Sequence, residues 1–345
     1  MTHELPFWFE AASLAVMGVV LVVDLLIVGR RPHVPSMKEA GTWVAFYVGL
    51  AVVYGLVVWM VGGIQPAGEF YAGWLTEYSL SIDNLFVFVI IMSRFAVPRE
   101  HQQKVLMVGI IIALVLRAGF ILAGAALIEQ FTWIFYFFGA FLVYTAIKLV
   151  AGDDEEEEFK ENIAIRALRR VLPVSDGYDG AKVRTVVDGR RLWTPMLVVF
   201  VAIGTTDLLF ALDSIPAIFG LTQDPFIVFA TNLFALMGLR QLYFLLGGLL
   251  ERLVYLPMAL AVILGFIGVK LVLEAMAENS LPFINGGEPI GWAPHIPVWA
   301  SLAVIVGSLA VGTVASLLAT RGRDGAGART AGGDVAEDHA ADGRD

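Results

Sequence analysis

Residues 77–84 read Glu-Tyr-Ser-Leu-Ser-Ile-Asp-Asn and sit inside an apolar stretch that runs from about residue 70 to 93. A second segment, Asp-Leu-Leu-Phe-Ala-Leu-Asp-Ser at 207–214, sits inside the stretch 195–219. Each places two carboxylates six residues apart in a run long enough to cross a hydrocarbon core of about 30 Å. An ionised carboxylate at that depth costs about 3 kcal/mol or more, so such residues mark an ion or substrate path.

Outward from these segments the apolar character continues. The 345 residues are 58% hydrophobic and 16% charged, with no cysteine. That composition excludes an ordinary soluble domain, and the missing thiols exclude disulfides and thiolate metal sites. Apolar runs of transmembrane length occur at about 7–28, 41–62, 70–93, 105–128, 131–151, 195–219, 226–250, 257–277 and 298–319. The predicted fold class is an all-α polytopic membrane protein of about nine transmembrane helices. The first run lacks a basic leader and ends at Arg30-Arg31, so it reads as a retained helix and not a cleaved signal. Trp59, Trp74, Trp133, Trp193 and Trp299 lie near predicted helix ends, as interfacial anchors do. Among the loops and tails, Lys and Arg fall only in the segments after the first, third, fifth, seventh and ninth runs. That one-sided count predicts an outside N-terminus and a cytoplasmic C-terminus.

Residues 1–64 hold the first two helices, 65–151 a unit of three, 195–279 a second unit of three, and 280–320 an external loop and the ninth helix. Between the units, 152–194 forms a charged cytoplasmic loop that opens with Asp153-Asp154-Glu155-Glu156-Glu157-Glu158 and then turns basic. A solvated acidic helix start is its plain reading, and a cation-attracting antechamber the sharper one. Residues 321–345, built mostly of Gly, Ala, Asp and Arg, read as a disordered tail.

The two units align. With Glu77 and Asp83 set against Asp207 and Asp213, Leu116-Arg117-Ala-Gly-Phe120 answers Leu239-Arg240-Gln-Leu-Tyr243, and Ile147-Lys148-Leu-Val150 answers Val269-Lys270-Leu-Val272. Three crossings per unit is an odd number, which predicts an inverted repeat, a plan of secondary transporters with the site at the repeat interface. At ~1.5 Å rise per residue the four carboxylates lie within about 10 Å of the midplane. The two acids of each pair point about 120° apart on a regular helix. Pro216 frees the carbonyl of Leu212, beside Asp213, and predicts a local break there.

The candidate metal ligands are therefore Glu77, Asp83, Asn84, Asp207, Asp213 and Ser214 with the Leu212 carbonyl. Asp83 and Asp213 are the central ligands, and Glu77 and Asp207 the flanking ligands or proton acceptors. All five histidines, at 3, 33, 101, 295 and 339, fall in predicted loops or tails. Oxygen-only ligands suit hard divalent cations, Mn²⁺, Ca²⁺ or Mg²⁺, carried as substrate with no prosthetic cofactor. Arg117, Arg240, Lys148, Lys270 and Asp24 are candidates for charge balance or gating; static buried ion pairs are the alternative. Lys148 and Lys270 are near enough to helix ends to snorkel, and Asp24 near enough to reach the interface. Asn232 reads as packing between helices. No nucleophile-and-base constellation points to an enzyme, and no basic stripe points to nucleic acid.

Several long motifs carry a family resemblance. Glu77 to Phe88, Ala211-Leu-Asp-Ser-Ile-Pro-Ala-Ile-Phe219, Thr231 to Leu246 and Phe141-Leu-Val-Tyr-Thr-Ala-Ile-Lys148 resemble the TerC family of integral membrane proteins, named for tellurium resistance. Asp24-Leu with Arg30, His33, Ser36, Lys38-Glu39-Ala40 and Trp43 resembles its first two helices. The resemblance implies a bacterial plasma-membrane protein related to lysine exporters, with members implicated in manganese export, in tellurite resistance or in supplying metal to exported enzymes. It implies that the family's intramembrane acids fall on Glu77, Asp83 and Asp213. The expected function is export of a hard divalent cation, Mn²⁺ first, through a midplane carboxylate site. The rivals are a non-transporting scaffold recruiting cytoplasmic stress-response proteins through 152–194, and an amino-acid exporter.

Overall fold

In hydrocarbon each backbone N–H and C=O must be satisfied within its own segment, and the apolar runs accordingly fold as helices. The computed structural model describes residues 5–30, 35–131, 133–151, 165–166, 170, 172–187, 189–246, 254–279, 281 and 284–341. Its helices are α1 (Phe7–Arg30), α2 (Met37–Gly62), α3 (Ile64–Arg94), α4 (Arg99–Gln130), α5 (Ile134–Ala151), α6 (Pro195–Phe219), α7 (Pro225–Leu236), α8 (Leu239–Leu246), α9 (Leu256–Ala277) and α10 (Val298–Ala341). Among the described residues nine helical spans are long and apolar enough to cross a membrane, α7 and α8 together making one of them, Pro225–Leu245. The acidic run 153–158 lies outside the described residues.

Local signals set several helix starts. Ser36 caps α2, its Oγ accepting from the Glu39 N–H at 3.2 Å, the Ser-x-x-Glu pattern of a capping box. Asp224 caps α7 by accepting from the N–H groups of Phe226 and Ile227, with Pro225 in the first turn, where its missing N–H is harmless.

The break in helical structure lies elsewhere than Pro216 predicts. Helix α6 stays helical through Pro216 to Phe219. Instead the seventh span is interrupted at Met237, whose ψ is 128°, and Gly238, whose φ is +83°. A left-handed φ is open to glycine at little cost, so Gly238 ends α7 and lets Leu239 restart as α8. Two of the expected interfacial tryptophans are also placed differently. Trp74 is buried, and Trp193 lies in a strand beneath the Arg184 guanidinium, 3.8 Å from its ring centre. The helix that begins at Val298 continues to Ala341, across residues whose composition predicts a disordered tail; its backbone closes its hydrogen bonds internally and needs no packing partner to do so.

Helix α3 is the axis of the bundle, and close approaches fix how its neighbours run. Gly73 of α3 lies against Ile218 near the end of α6, while Leu85, Phe88, Ile91 and Met92 pack with Met196, Val199 and Ile203 near its start. Helices α3 and α6 are therefore antiparallel. On α4, Gly109 meets Ile203 and Gly124 meets Phe219, so α4 runs parallel to α6. Helices α5 and α9 approach most closely: a Cβ added to Gly139 would fall 2.6 Å from the Gly268 carbonyl oxygen, and one on Gly268 would fall 2.8 Å from that of Gly139.

The loop before α6 ends in a hairpin, β1 (Arg184–Val187) paired antiparallel with β2 (Arg190–Trp193). The sequence between the strands reads Asp188-Gly189, a pair that suits a two-residue turn, and Gly189 has φ +76°. Tyr178 Oη donates to the Phe95 carbonyl at 2.6 Å and Thr194 Oγ1 to the Lys182 carbonyl at 2.5 Å, seating the hairpin against the end of α3 and the start of α6. Burial pushes the Tyr178 hydroxyl above its ordinary range.

A candidate charge site between α3, α4, α6 and α7

Arg117 projects from the middle of α4 and is 1% exposed. Its Nε donates to Asp207 Oδ2 at 3.2 Å and its Nη2 to Asp207 Oδ1 at 3.1 Å, a bidentate pair. Its Nη1 pairs with Glu77 of α3 and donates to Asn232 Oδ1 of α7 at 2.9 Å, with Ser214 Oγ at 3.5 Å. The Asn232 amide is oriented by its own Nδ2, which donates to the Val228 carbonyl at 3.1 Å. Glu77 and Asp207 are 0% and 3% exposed. One guanidinium thus draws together the corresponding acids of the two aligned segments.

Asp83 and Asp213 lie about 9 Å further along α3 and α6, each half-buried. Because the helices are antiparallel, with Gly73 opposite Ile218, Asp213 falls near the level of Glu77 and Asp83 near that of Asp207. Thr145 Oγ1 of α5 donates to Asp213 Oδ1 at 3.4 Å. Asn84 is buried on the Glu77 face of α3, Ser214 is buried beside Arg117, and the Leu212 side chain is exposed. Among the described residues no three His, Asp or Glu side chains converge as a metal cluster. Two of the four candidate carboxylates are engaged by Arg117 instead, so the four do not form one ligand sphere in this arrangement.

The remaining charged residues divide. Arg240, which aligns with Arg117, turns to a different acid: its Nη2 meets Asp24 Oδ1 of α1 at 3.0 Å, and Tyr47 Oη of α2 donates to the same oxygen at 2.5 Å. Asp24 therefore faces Arg240 and not the interface. Lys270 does not snorkel: it is 6% exposed and its Nζ donates to the Gly220 carbonyl at the end of α6 at 2.7 Å. Lys148 is half-buried on α5. Sequence reasoning gave Asn232 a packing role and did not find Tyr47 as a partner of Asp24. A lone amide in an otherwise apolar run was the available signal for the first; a tyrosine among aromatic neighbours gave none for the second.

Comparison with known proteins fits this architecture. Residues 63–324 match the model of the integral membrane protein TerC family. The chain is 48% identical over 315 residues to the membrane protein Rv2723 of Mycobacterium tuberculosis, covering 90% of this chain and 79% of that one. It is 40% identical over 282 residues to the thylakoid membrane protein TERC of Arabidopsis thaliana (82% and 69% covered), and 38% identical over 304 residues to Alx of Escherichia coli K12, described as a membrane-bound redox modulator (85% and 89% covered). No solved structure matches the chain. With seven of the nine spans and the Glu77, Arg117 and Asp207 cluster inside the matched region, the chain belongs to the TerC family of integral membrane proteins.

Proposed function

We propose that the protein is a secondary transporter that exports a hard divalent cation, Mn²⁺ before Ca²⁺ or Mg²⁺, across a bacterial plasma membrane, coupled to protons. The observation that carries this reading is the buried contact of Glu77 and Asp207 with Arg117, deep in membrane-spanning helices. Two carboxylates and one guanidinium leave one negative charge in excess. Desolvated net charge is costly, so the cluster invites a proton or a cation. Asp83 and Asp213, half-buried and each about 9 Å along its helix from Glu77 or Asp207, with Asn84 and Ser214 nearby, would supply the oxygen ligands. Helices α3 and α6 run antiparallel, as do α5 and α9, which supports an inverted repeat of α3–α5 and α6–α9 with the site at its interface. The basic-residue count favours an outside N-terminus. The redox wording attached to Alx would not act through thiols here, since the chain has none.

A second reading, a non-transporting scaffold, is favoured by one feature: Arg117 already satisfies Asp207 on both oxygens, as a static structural pair would. Mn²⁺ flux in vesicles containing the purified protein, with and without a pH gradient, separates the two. Transport is expected from wild type and is lost in Asp83→Asn and Asp213→Asn. Flux unchanged in both variants overturns their assignment as ligands, and no flux from wild type leaves the scaffold. Competition of flux by lysine would point to the amino-acid exporter instead.

A further inference from the structure

The hairpin before α6 carries charge that the site between the helices does not use. It is held at the level where two spans end. Tyr178 donates to the carbonyl of Phe95, directly after the span Ile64–Arg94, and β2 runs straight into Thr194 and the span from Pro195. A surface at that level borders the lipid headgroups. Around it, at the adjoining ends of α3 and α4, Arg94, Arg99 and Lys104 are exposed against a single acid, Glu100.

Paired residues share a face of a hairpin and successive residues alternate, so Arg184, Val186, Arg191 and Trp193 stand on one side. A cavity of about 450 Å³ is lined by Asp179, Lys182, Arg184, Thr185, Val186 and Arg191. Three cations against one carboxylate leave its wall with two positive charges in excess. Lys182 is committed to Asp179 at 3.3 Å, whereas Arg184 and Arg191 have no carboxylate partner among the described residues. Arg184 lies over the Trp193 ring at 3.8 Å, a stacking contact that leaves its in-plane N–H groups to fork onto two oxygens. Val186 and Val187 are exposed at the tip, beside these arginines. Apolar side chains interleaved with guanidinium groups suit an interface, where the valines enter the acyl boundary and the charges stay among phosphates.

We propose that the hairpin binds the phosphodiester headgroup of an anionic phospholipid, of the phosphatidylglycerol type, with Arg184 and Arg191 as the phosphate-binding residues. Binding there is independent of whether the helices carry a cation. A zwitterionic headgroup presents the same phosphate together with an ammonium, which the positive wall repels, so net charge decides between lipids. A free phosphate ion has the same chemistry for the two guanidinium groups. The lipid is favoured by the level of the hairpin at the span ends and by the exposed valines beside the cavity.

The full chain in nanodiscs of mixed phosphatidylcholine and phosphatidylglycerol tests this, with the lipid retained on release identified by native mass spectrometry. Wild type is expected to retain phosphatidylglycerol preferentially. Arg184→Gln and Arg191→Gln should each lower that preference about fivefold, the effect of one basic residue at an anionic surface. The Arg191 variant keeps the test decisive if loss of the stack on Trp193 unfolds the hairpin. Lys38→Gln, exposed at the start of α2 and outside the cavity wall, should leave the preference unchanged. Equal retention of the two lipids by wild type, a preference that survives both arginine substitutions, or an equal loss in Lys38→Gln overturns the proposal. Displacement of the retained lipid by inorganic phosphate assigns the cavity to a soluble anion and overturns the lipid as occupant. Hydrogen exchange at 184–187 and 190–193 is expected to slow when phosphatidylglycerol is added to phosphatidylcholine nanodiscs. Exchange indifferent to that lipid, but faster when Glu155→Gln, Glu156→Gln, Glu157→Gln and Glu158→Gln are combined, makes the chain's own acidic run the occupant and overturns it equally.

Discussion

Arg117 approaches Asp207 side-on, through Nε and Nη2, and this leaves Nη1 to face Glu77 and Asn232. A single planar group therefore joins α3, α4, α6 and α7. Lysine has the charge but not the fork, so it cannot hold a bidentate carboxylate and two further acceptors at once.

Replacing Arg117 tests this junction. Arg117→Ala leaves two buried carboxylates uncompensated and is expected to destabilise the protein by about 3–5 kcal/mol, read as a lowered midpoint of thermal unfolding in detergent. Arg117→Lys is expected to fall between this variant and wild type. Adding Glu77→Gln and Asp207→Asn to Arg117→Ala recovers most of the loss, since no unpaired charge then remains. A stable Arg117→Ala protein would mean that the acids are neutral without it.

The second junction, at Arg240, differs in depth and partner. Asp24 is 19% exposed on its side chain and shares one oxygen between Arg240 and Tyr47. Tyr47→Phe is expected to cost about 1–2 kcal/mol, one hydrogen bond to a charged acceptor, and Asp24→Asn more, because it strands a 3% exposed arginine. A double-mutant cycle between Tyr47→Phe and Asp24→Asn should show coupling above about 0.5 kcal/mol, as expected for groups in one network. Additive losses would show that Tyr47 acts through packing alone.

These two junctions also show what the chain discloses before it is folded. The spans were legible because hydrocarbon enforces their length and composition, and so were the acids and bases within them, because each is costly there. Partner choice was not. Nothing in the aligned Leu116-Arg117 and Leu239-Arg240 motifs says that the first arginine takes Glu77 and Asp207 while the second takes Asp24 from α1, outside the aligned units. The break was misplaced for a related reason. Proline removes a hydrogen bond wherever it stands, yet a helix can continue past it, as α6 does through Pro216, whereas the glycine at 238 ends a helix only because its φ is positive. The hairpin at 184–193 was announced by Asp188-Gly189 between short β-branched and basic runs, a signal easily overlooked in a loop read for charge.

The contact between α5 and α9 gives a prediction independent of charge. Backbone meets backbone at Gly139 and Gly268, where a side chain would have to displace a carbonyl and not merely a flexible methyl. Gly139→Val or Gly268→Val is expected to cost at least about 1–3 kcal/mol through overpacking. Gly119→Ala, at a position on α4 with nothing within 4 Å, serves as the tolerated control. Equal unfolding midpoints for all three would contradict the close approach.

Outside the membrane, the hairpin carries a titration with a definite sign. The Thr185 hydroxyl, at 3.0 Å, and the Lys182 ammonium, at 3.3 Å, donate to Asp179 and hold its carboxyl below the ordinary value of 3.8. A carboxylate depressed on folding binds protons less readily folded than unfolded, so its contribution is complete above that ordinary value. It is lost as the pH falls through the lower, folded one. Protection from hydrogen exchange at 183–187 and 189–194, taken relative to the intrinsic rate at each pH, should therefore stay constant from neutral pH down to about pH 5 and fall only below 3.8. Asp179→Asn should abolish that fall while leaving protection in α3 and α6 unchanged. A fall that begins near neutral pH would assign the hairpin's ordering to some other group.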